Sequence, residues 1–434
     1  MPELVDAGMG SSDRVQEVRQ PAWTQTPAGP GTTSALVGEV FDEGTFVAMG
    51  PRRGGSRSTH GERAVITGSG TVEGRRVFAY GHDASWAAHG LGAGQVAKIS
   101  RLMDLAHRTG APLVVLCGAD RPRVPVDAAP SAAGELVEFG RLLRRHARTS
   151  GVIPQIGVVL GAHAPPQYAL ADFVFTLADG PRHEGAIVHE TKASLLTDVR
   201  RLLSLLPSNN CEQPPDEITF DPLDRRCRAL ADAAPADTDD THDMRRVIGD
   251  IADDGTAFEV HQGWAGSVMC ALVRIGGRVV GILAHQSERP AGPVGAWAPG
   301  RAARFVTLCD AFSVPLVTLT DTAGHLPSYG STQGAQGSGE QARLTYAYGS
   351  ATVPRISVVL RGPVGHALLA TGASGADLTL AWASGARALS AAEQGLVDEV
   401  IDPADSRRAL IRALAMLQTK QAEPPFRKHG IPPL

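Results

Sequence analysis

The chain has 434 residues, of which 43% are hydrophobic and 49 are glycine, and a formal net charge of −4. That length allows two or three domains with a large buried core, and interspersed charges without a basic run exclude a nucleic-acid footprint. Five scattered cysteines without CxxC spacing argue against a disulfide framework or zinc site, and no apolar run spans a bilayer or forms a signal peptide. A cytoplasmic protein with no nucleic-acid or membrane partner is expected.

Residues 1–36, rich in Pro, Gly, Ser and Thr, are expected to form a flexible N-terminal segment. A first domain is expected over 37–212 and a second over 213–434, with the polar, Pro-rich stretch 207–217 as the linker. Apolar periodicity predicts helices over 95–109 and 134–148 in the first, and over 301–312, 340–348 and 406–418 in the second. The last places Leu410, Ile411, Leu414 and Leu417 on one face, as an interface or capping helix would. Residues 314–319 and 356–360 are short apolar runs bounded by turn residues, the pattern of parallel strands covered on both faces. The Gly-rich run 332–340 (TQGAQGSGE) reads as a binding loop.

The two domains read as copies of one another. Gly74–Val77 recurs as Gly277–Val280 and Ala111–Val114 as Val314–Val317, both at an offset of 203 residues (277 − 74 and 315 − 112). Val152–Ile156 recurs as Thr352–Ile356 at 200 (354 − 154), and Asp172–Val174 as Asp377–Thr379 at 205 (377 − 172). Matches in the same order with drifting offsets point to a tandem duplication. Each copy is expected to be an α/β spiral of ββα type, with antiparallel strands early and alternating strands and helices after.

Turns at the carboxyl ends of parallel strands are where such folds hold ligands. Two glycine-bearing turns follow the second domain's central strands: Asp321-Thr322-Ala323-Gly324-His325 and Arg361-Gly362-Pro363-Val364-Gly365-His366. The amides of Gly365, His366 and Ala367, at a helix N-terminus, suit an anion or a developing oxyanion. His325 and His366 are candidate proton carriers and Asp321 a candidate substrate-orienting acid, each against a purely structural role. Lys98 follows the Gly-rich AAHGLGAGQ. His82 and His89 lack a third ligand at sensible spacing, so no metal site is expected. No GxxxxGK[ST] loop is present.

The strings ARFVTLCDAFSVPLVTLTDTAGHLP and YAYGSATVPRISVVLRGPVGHA, with the terminal PPFRKHGIPPL, resemble biotin-dependent acyl-CoA carboxylase β subunits, the carboxyltransferases of the crotonase superfamily. FDEGTF, the strand from Gly74 to Tyr80 and SGVIPQIGVVLGA extend the resemblance to nearly the whole chain. It implies two tandem crotonase-like ββα spiral domains. It also implies transfer of a carboxyl or other acyl group to or from a thioester of coenzyme A or a carrier, with no covalently bound cofactor. The carboxyl donor would be carboxybiotin on a partner carboxylase subunit, or the chain works without biotin. The assembly would be a dimer-based homo-oligomer. Arg123 fits the family's pattern, Lys98 would lie near the coenzyme A phosphates, and Gly324 and Gly362 would approach substrate. Where the family has a Gly-Gly pair in the first half, this chain reads Gly161-Ala162-His163-Ala164-Pro165-Pro166, and proline has no N–H to donate. Backbone oxyanion stabilisation is therefore expected in the C-terminal half, at Gly365, His366 and Ala367. The alternatives are a catalytically reduced scaffold subunit of a carboxylase complex, or a thioester decarboxylase or hydrolase.

Overall fold

The structure is a computed structural model that describes residues 33–49, 65–82, 93–117, 130–161, 166–180, 185–232, 243–260, 268–286, 298–321, 334–361, 364, 375–383, 386–423, 426–427 and 430–433. Its framework is two seven-stranded sheets whose strands lie in chain order. The first holds β1 (Val47–Ala48), β2 (Val65–Val72), β3 (Arg75–His82), β4 (Leu113–Cys117), β5 (Gln155–Val159), β6 (Phe173–Leu177) and β7 (Ile187–His189). The second holds β8 (Phe258–Val260), β9 (Val268–Ile275), β10 (Arg278–Gln286), β11 (Leu316–Asp321), β12 (Arg355–Arg361), β13 (Leu378–Trp382) and β14 (Glu399–Ile401). In each, the first three strands are antiparallel and the rest parallel.

The registers repeat at the offsets found in the sequence. Phe78 faces Leu113 as Gly281 faces Leu316, and Ile156 faces Phe173 as Ile356 faces Leu378. The reason lies in a pair of aspartates at the base of each sheet. The carboxylate of Asp42 accepts from the N–H groups of Glu73 (3.0 Å) and Gly74 (2.9 Å), the two positive-φ residues of the β2–β3 hairpin turn. Asp253 does the same for Gly276 (2.8 Å) and Gly277 (2.7 Å) between β9 and β10. Each aspartate also binds an arginine from the last long helix of its half: Arg200 on Lys192–Leu205 at 2.7 Å, and Arg407 on Ser406–Met416 at 2.6 Å. A two-residue turn of this hand matches the twist of its strands, and the carboxylate fixes it, so the hairpin's register is set by the turn. A second repeated clamp starts β5 and β12: Asp172 accepts from the N–H of Gln155 (2.8 Å), and Asp377 from that of Arg355 (2.7 Å).

The helices flank the sheets as crossovers. Ala93–Thr109 and Pro130–Thr149 cover one face in the first half, and Ala298–Ala311 and Gly334–Ser350 the equivalent face in the second. The last of these corrects the expected loop over 332–340. A helix begins at Gly334 despite its glycines, because its later turns bury Leu344 and Tyr348 against the sheet and tertiary packing outweighs propensity. Helix Ser406–Met416 buries Leu410 and Leu414 in the second core, so its apolar face caps that core.

The halves are joined more tightly than a linker implies. One apolar cluster runs from Phe173 and Phe175 of the first sheet to Phe258, Leu272 and Phe305 of the second half. Arg274, buried in the second sheet, donates to the carbonyls of Ser204 (3.0 Å) and Pro215 (2.7 Å), pinning the connecting segment. A Cβ on Gly277 would lie 2.1 Å from the carbonyl oxygen of Glu217, so only glycine lets that segment pass so close. Arg304 reaches back to the carbonyl of Ala171 (2.9 Å).

Candidate active site

Three neighbouring parallel strands of the second half end in polar residues. His285 is the penultimate residue of β10, Thr320 and Asp321 close β11, and Arg361 closes β12. The sequence makes these runs apolar up to their last residues, so the cores hold the strands while their carboxyl ends stay polar. Asp321 is buried, and the guanidinium of Arg361 donates to both of its oxygens, from Nε at 2.7 Å and from Nη2 at 2.9 Å. A fork-to-fork pair fixes orientation as well as charge. It ties the two strand ends that lead into 322–333 and 362–374, and the β11–β12 register shifts there, between Thr320 and Asp321.

His285 lies in register with Thr320, so both side chains project from the same face of the sheet. The Nε2 of His285 is shielded from solvent and has no hydrogen-bond partner, and the same is true of the buried Thr320 hydroxyl. Burial pushes the imidazole pKa down to about 4, so the ring is neutral near neutrality. One pleat deeper, Thr318 and the Tyr348 hydroxyl are 2.6 Å apart, while Ser357 Oγ on β12 is again without a partner.

A scan of the sequence against family descriptions matches the carboxyl transferase domain over residues 25–181 and 185–389, across both sheets. The chain belongs to the carboxyl transferase domain family. It is 31% identical to the propionyl-CoA carboxylase beta chain of Roseobacter denitrificans, over 85% of this chain and 86% of that one. It is 30% identical to the methylmalonyl-CoA decarboxylase subunit alpha of Propionigenium modestum, over 94% of each. Among solved structures, the transcarboxylase 12S hexamer with hydrolysed methylmalonyl-coenzyme A bound aligns with a TM-score of 0.81 and 29% identity, covering 93% of this chain and 92% of that one. The two tandem crotonase-like sheets are thus those of a carboxyltransferase.

In this carboxyltransferase the equivalent place in the first half is built differently. His82, which stands 203 residues before His285 (285 − 82), ends β3 in register with Cys117. Its Nε2 lies 3.5 Å from Nε2 of Gln167, on the short 3-10 helix Pro166–Leu170. Burial, with His146 nearby, pushes its pKa down to about 4 as well. Beside it runs a closed polar chain. Gln155 Oε1 can only accept, so His146 Nδ1 (2.7 Å) donates to it, and His146 Nε2 therefore accepts from the Tyr80 hydroxyl (2.8 Å). Gln155 Nε2 returns to the carbonyl of His146 at 3.1 Å. The Tyr168 ring fills the place where a Cβ on Gly157 would sit, 2.7 Å from Cδ1.

Of the residues singled out in the sequence, Asp321 and Lys98 are among those described. Asp321 is committed to Arg361, a positioning role for the strand ends. Lys98 donates to the carbonyl of Val65 at 2.7 Å, tying helix Ala93–Thr109 to β2. Arg123, Gly324, His325, Gly362, Gly365, His366 and Ala367 lie outside the described residues, as do Pro165 and His89. Val364, between two of them, is helical and buried with Val359, Ala381 and Val397. Among the described residues no group of His, Cys, Asp and Glu is placed to hold a metal, and no helix is long and apolar enough to cross a membrane. Sequence reasoning missed His285 and Thr320, although the 203-residue offset from His82 points straight at His285.

Proposed function

We propose that the chain moves a carboxyl group to or from the α-carbon of an acyl-coenzyme A thioester, with the chemistry in the C-terminal half. The carboxyl transferase match across both sheets carries this reading. Taking a carboxyl from such a thioester leaves an enolate, and adding one passes through the same species. Its charge collects on the thioester oxygen, where fixed amide donors stabilise it without a charged side chain. The amides following β12, those of Gly365, His366 and Ala367, are the donors assigned here. The Asp321–Arg361 pair holds the strand ends before them in place. Proline at 165 and 166 leaves the first half without that option at the corresponding place.

The carboxyl carrier is carboxybiotin on a partner carboxylase subunit, and the protein works as a homo-oligomer. Decarboxylation is the second reading, favoured by the likeness to a methylmalonyl-CoA decarboxylase subunit.

The test is mass spectrometry of coenzyme A thioesters after incubation with the purified protein. Propionyl-CoA is offered with carboxylated biotin, and methylmalonyl-CoA with and without free biotin. Gain of CO2 in the first mixture supports transfer, and loss from methylmalonyl-CoA without biotin supports decarboxylation. No change in any mixture leaves a scaffold subunit. Replacing His366 with proline deletes one donor N–H and is expected to lower kcat roughly a hundredfold or more.

A further inference from the structure

We propose that His285, with the hydroxyl of Thr320, forms a hydrogen-bonding recess at the carboxyl ends of β10 and β11 that holds a carbonyl oxygen of a reactant, a thioester or a urea. This rests on the functional reading above, and adds a residue to the second-half site.

Three observations converge on it. First, the two side chains are register partners on adjacent parallel strands, so they stand side by side on one face. Second, neither His285 Nε2 nor Thr320 Oγ1 has a hydrogen-bond partner, although both atoms are out of solvent. A buried polar atom without a partner is costly, and folded proteins tolerate it mainly where a ligand or ordered water completes it. Third, the contrast with the first half is internal to the chain. His82 stands at the equivalent strand end but has Gln167 within 3.5 Å, and its register partner is a thiol. The duplication therefore supplies two copies of one imidazole, one with a partner nearby and one left open.

The chemistry of the pair selects the ligand. Arg361, the cation at the end of β12, is held by Asp321, so it offers no spare positive charge for a free carboxylate. A neutral imidazole N–H and a hydroxyl are donors that suit an oxygen gaining only partial negative charge. A neutral histidine can polarise a carbonyl without surrendering its proton, whereas a protonated one would demand a desolvated cation. His285 stands one residue before β10 ends and is partly exposed as a residue, while its Nε2 is out of solvent.

Steady-state kinetics and ring NMR on the full chain test this together. His285→Leu is expected to lower kcat/KM for carboxyl transfer roughly a hundredfold, mostly in kcat, while His285→Gln, which keeps an N–H near the Nε2 position, recovers to within about tenfold of the wild type. Thr320→Val is expected to lower kcat/KM about tenfold while leaving the melting temperature unchanged or higher, since it removes a buried hydroxyl that had no partner. If the wild type transfers carboxyl and His285→Leu stays within about twofold of it, the recess is overturned and the functional reading stands. If the wild type transfers nothing, the 15N resonance of His285 Nε2, assigned by its loss in His285→Gln, decides. Its shift on adding propionyl-CoA names the thioester, and its shift on adding free biotin names the urea. No shift with either means ordered water only, and the proposal falls.

Discussion

The two halves of this chain share a foundation and part company at the other end of the same strands. At the base, Asp42 and Asp253 clamp equivalent hairpin turns, and Asp172 and Asp377 cap equivalent strands, with near-identical distances. At the carboxyl ends the first half gives His82 a neighbour in Gln167 and closes the chain Tyr80–His146–Gln155, with Gln167 Oε1 left without a partner. The second half ties Asp321 to Arg361 and leaves His285 and Thr320 open. The lesson is that the geometry setting register had to be kept for either sheet to form, whereas the strand ends were free to diverge. The contrast lies in the strand-end imidazole: with a polar neighbour, as at His82, the half reads as scaffold, and left open beside an open hydroxyl, as at His285 and Thr320, it reads as site.

The largest effects should come from breaking the shared foundation unequally. Asp253 and Arg407 are 4% and 0% exposed at the side chain, while Asp42 and Arg200 are 26% and 29% exposed. Asp253→Ala leaves a buried guanidinium and is expected to cost about 3–5 kcal/mol, against about 1–2 kcal/mol for Asp42→Ala. Denaturant unfolding of the two variants measures the gap, and equal losses would show the clamps to be equivalent.

Acid should act next, and in both halves. His82 and His285 both have pKa values pushed down to about 4, so between pH 6 and 4 the unfolded chain binds two protons that the folded one refuses. Asp172, whose burial raises its pKa to about 6, binds one proton in the folded state over the same window. The net difference is one proton favouring the unfolded chain, so stability falls by about 1.4 kcal/mol for each pH unit lost from 6 to 4. His146 and His189, both lowered by burial, add in the same direction. Removing the histidine contribution with a His82→Gln, His285→Gln double variant should flatten or reverse that slope. A slope unchanged in the double variant would show that these rings are not held neutral.

The smallest effect sharpens the contrast between the networks. Tyr80→Phe strands His146 Nε2 inside the first half and is expected to cost about 1 kcal/mol by thermal unfolding, with little change in any turnover. A loss of activity comparable with that of His285→Leu would place the first-half chain in the chemistry and erase the distinction between the halves.

Much of this architecture was legible in the residues. The apolar runs and the offsets near 203 residues anticipate two sheets with matched registers, because β-register follows the hydrophobic pattern and the turn. Residues 340–348 were legible as helix, but the first turns from Gly334 were not, since their glycines speak against helix and the burial of Leu344 and Tyr348 further on outweighs them. Asp42 sits in FDEGTF, a string whose length and spacing say nothing of two turn amides some thirty residues on. His285 was hidden for a different reason. A single histidine at the end of an apolar strand looks the same whether its ring is satisfied or open, and only three-dimensional bookkeeping of partners separates the cases.

The central claim is that a carboxyl group moves on and off an acyl-coenzyme A thioester in the second half. Its most direct test is the CO2 balance of propionyl-CoA and methylmalonyl-CoA turned over by the purified chain and by His366→Pro. Gain or loss of CO2 by the wild type, cut roughly a hundredfold by the proline, is the expected result. A wild type that leaves both thioesters unchanged, or a proline variant as active as the wild type, would contradict it.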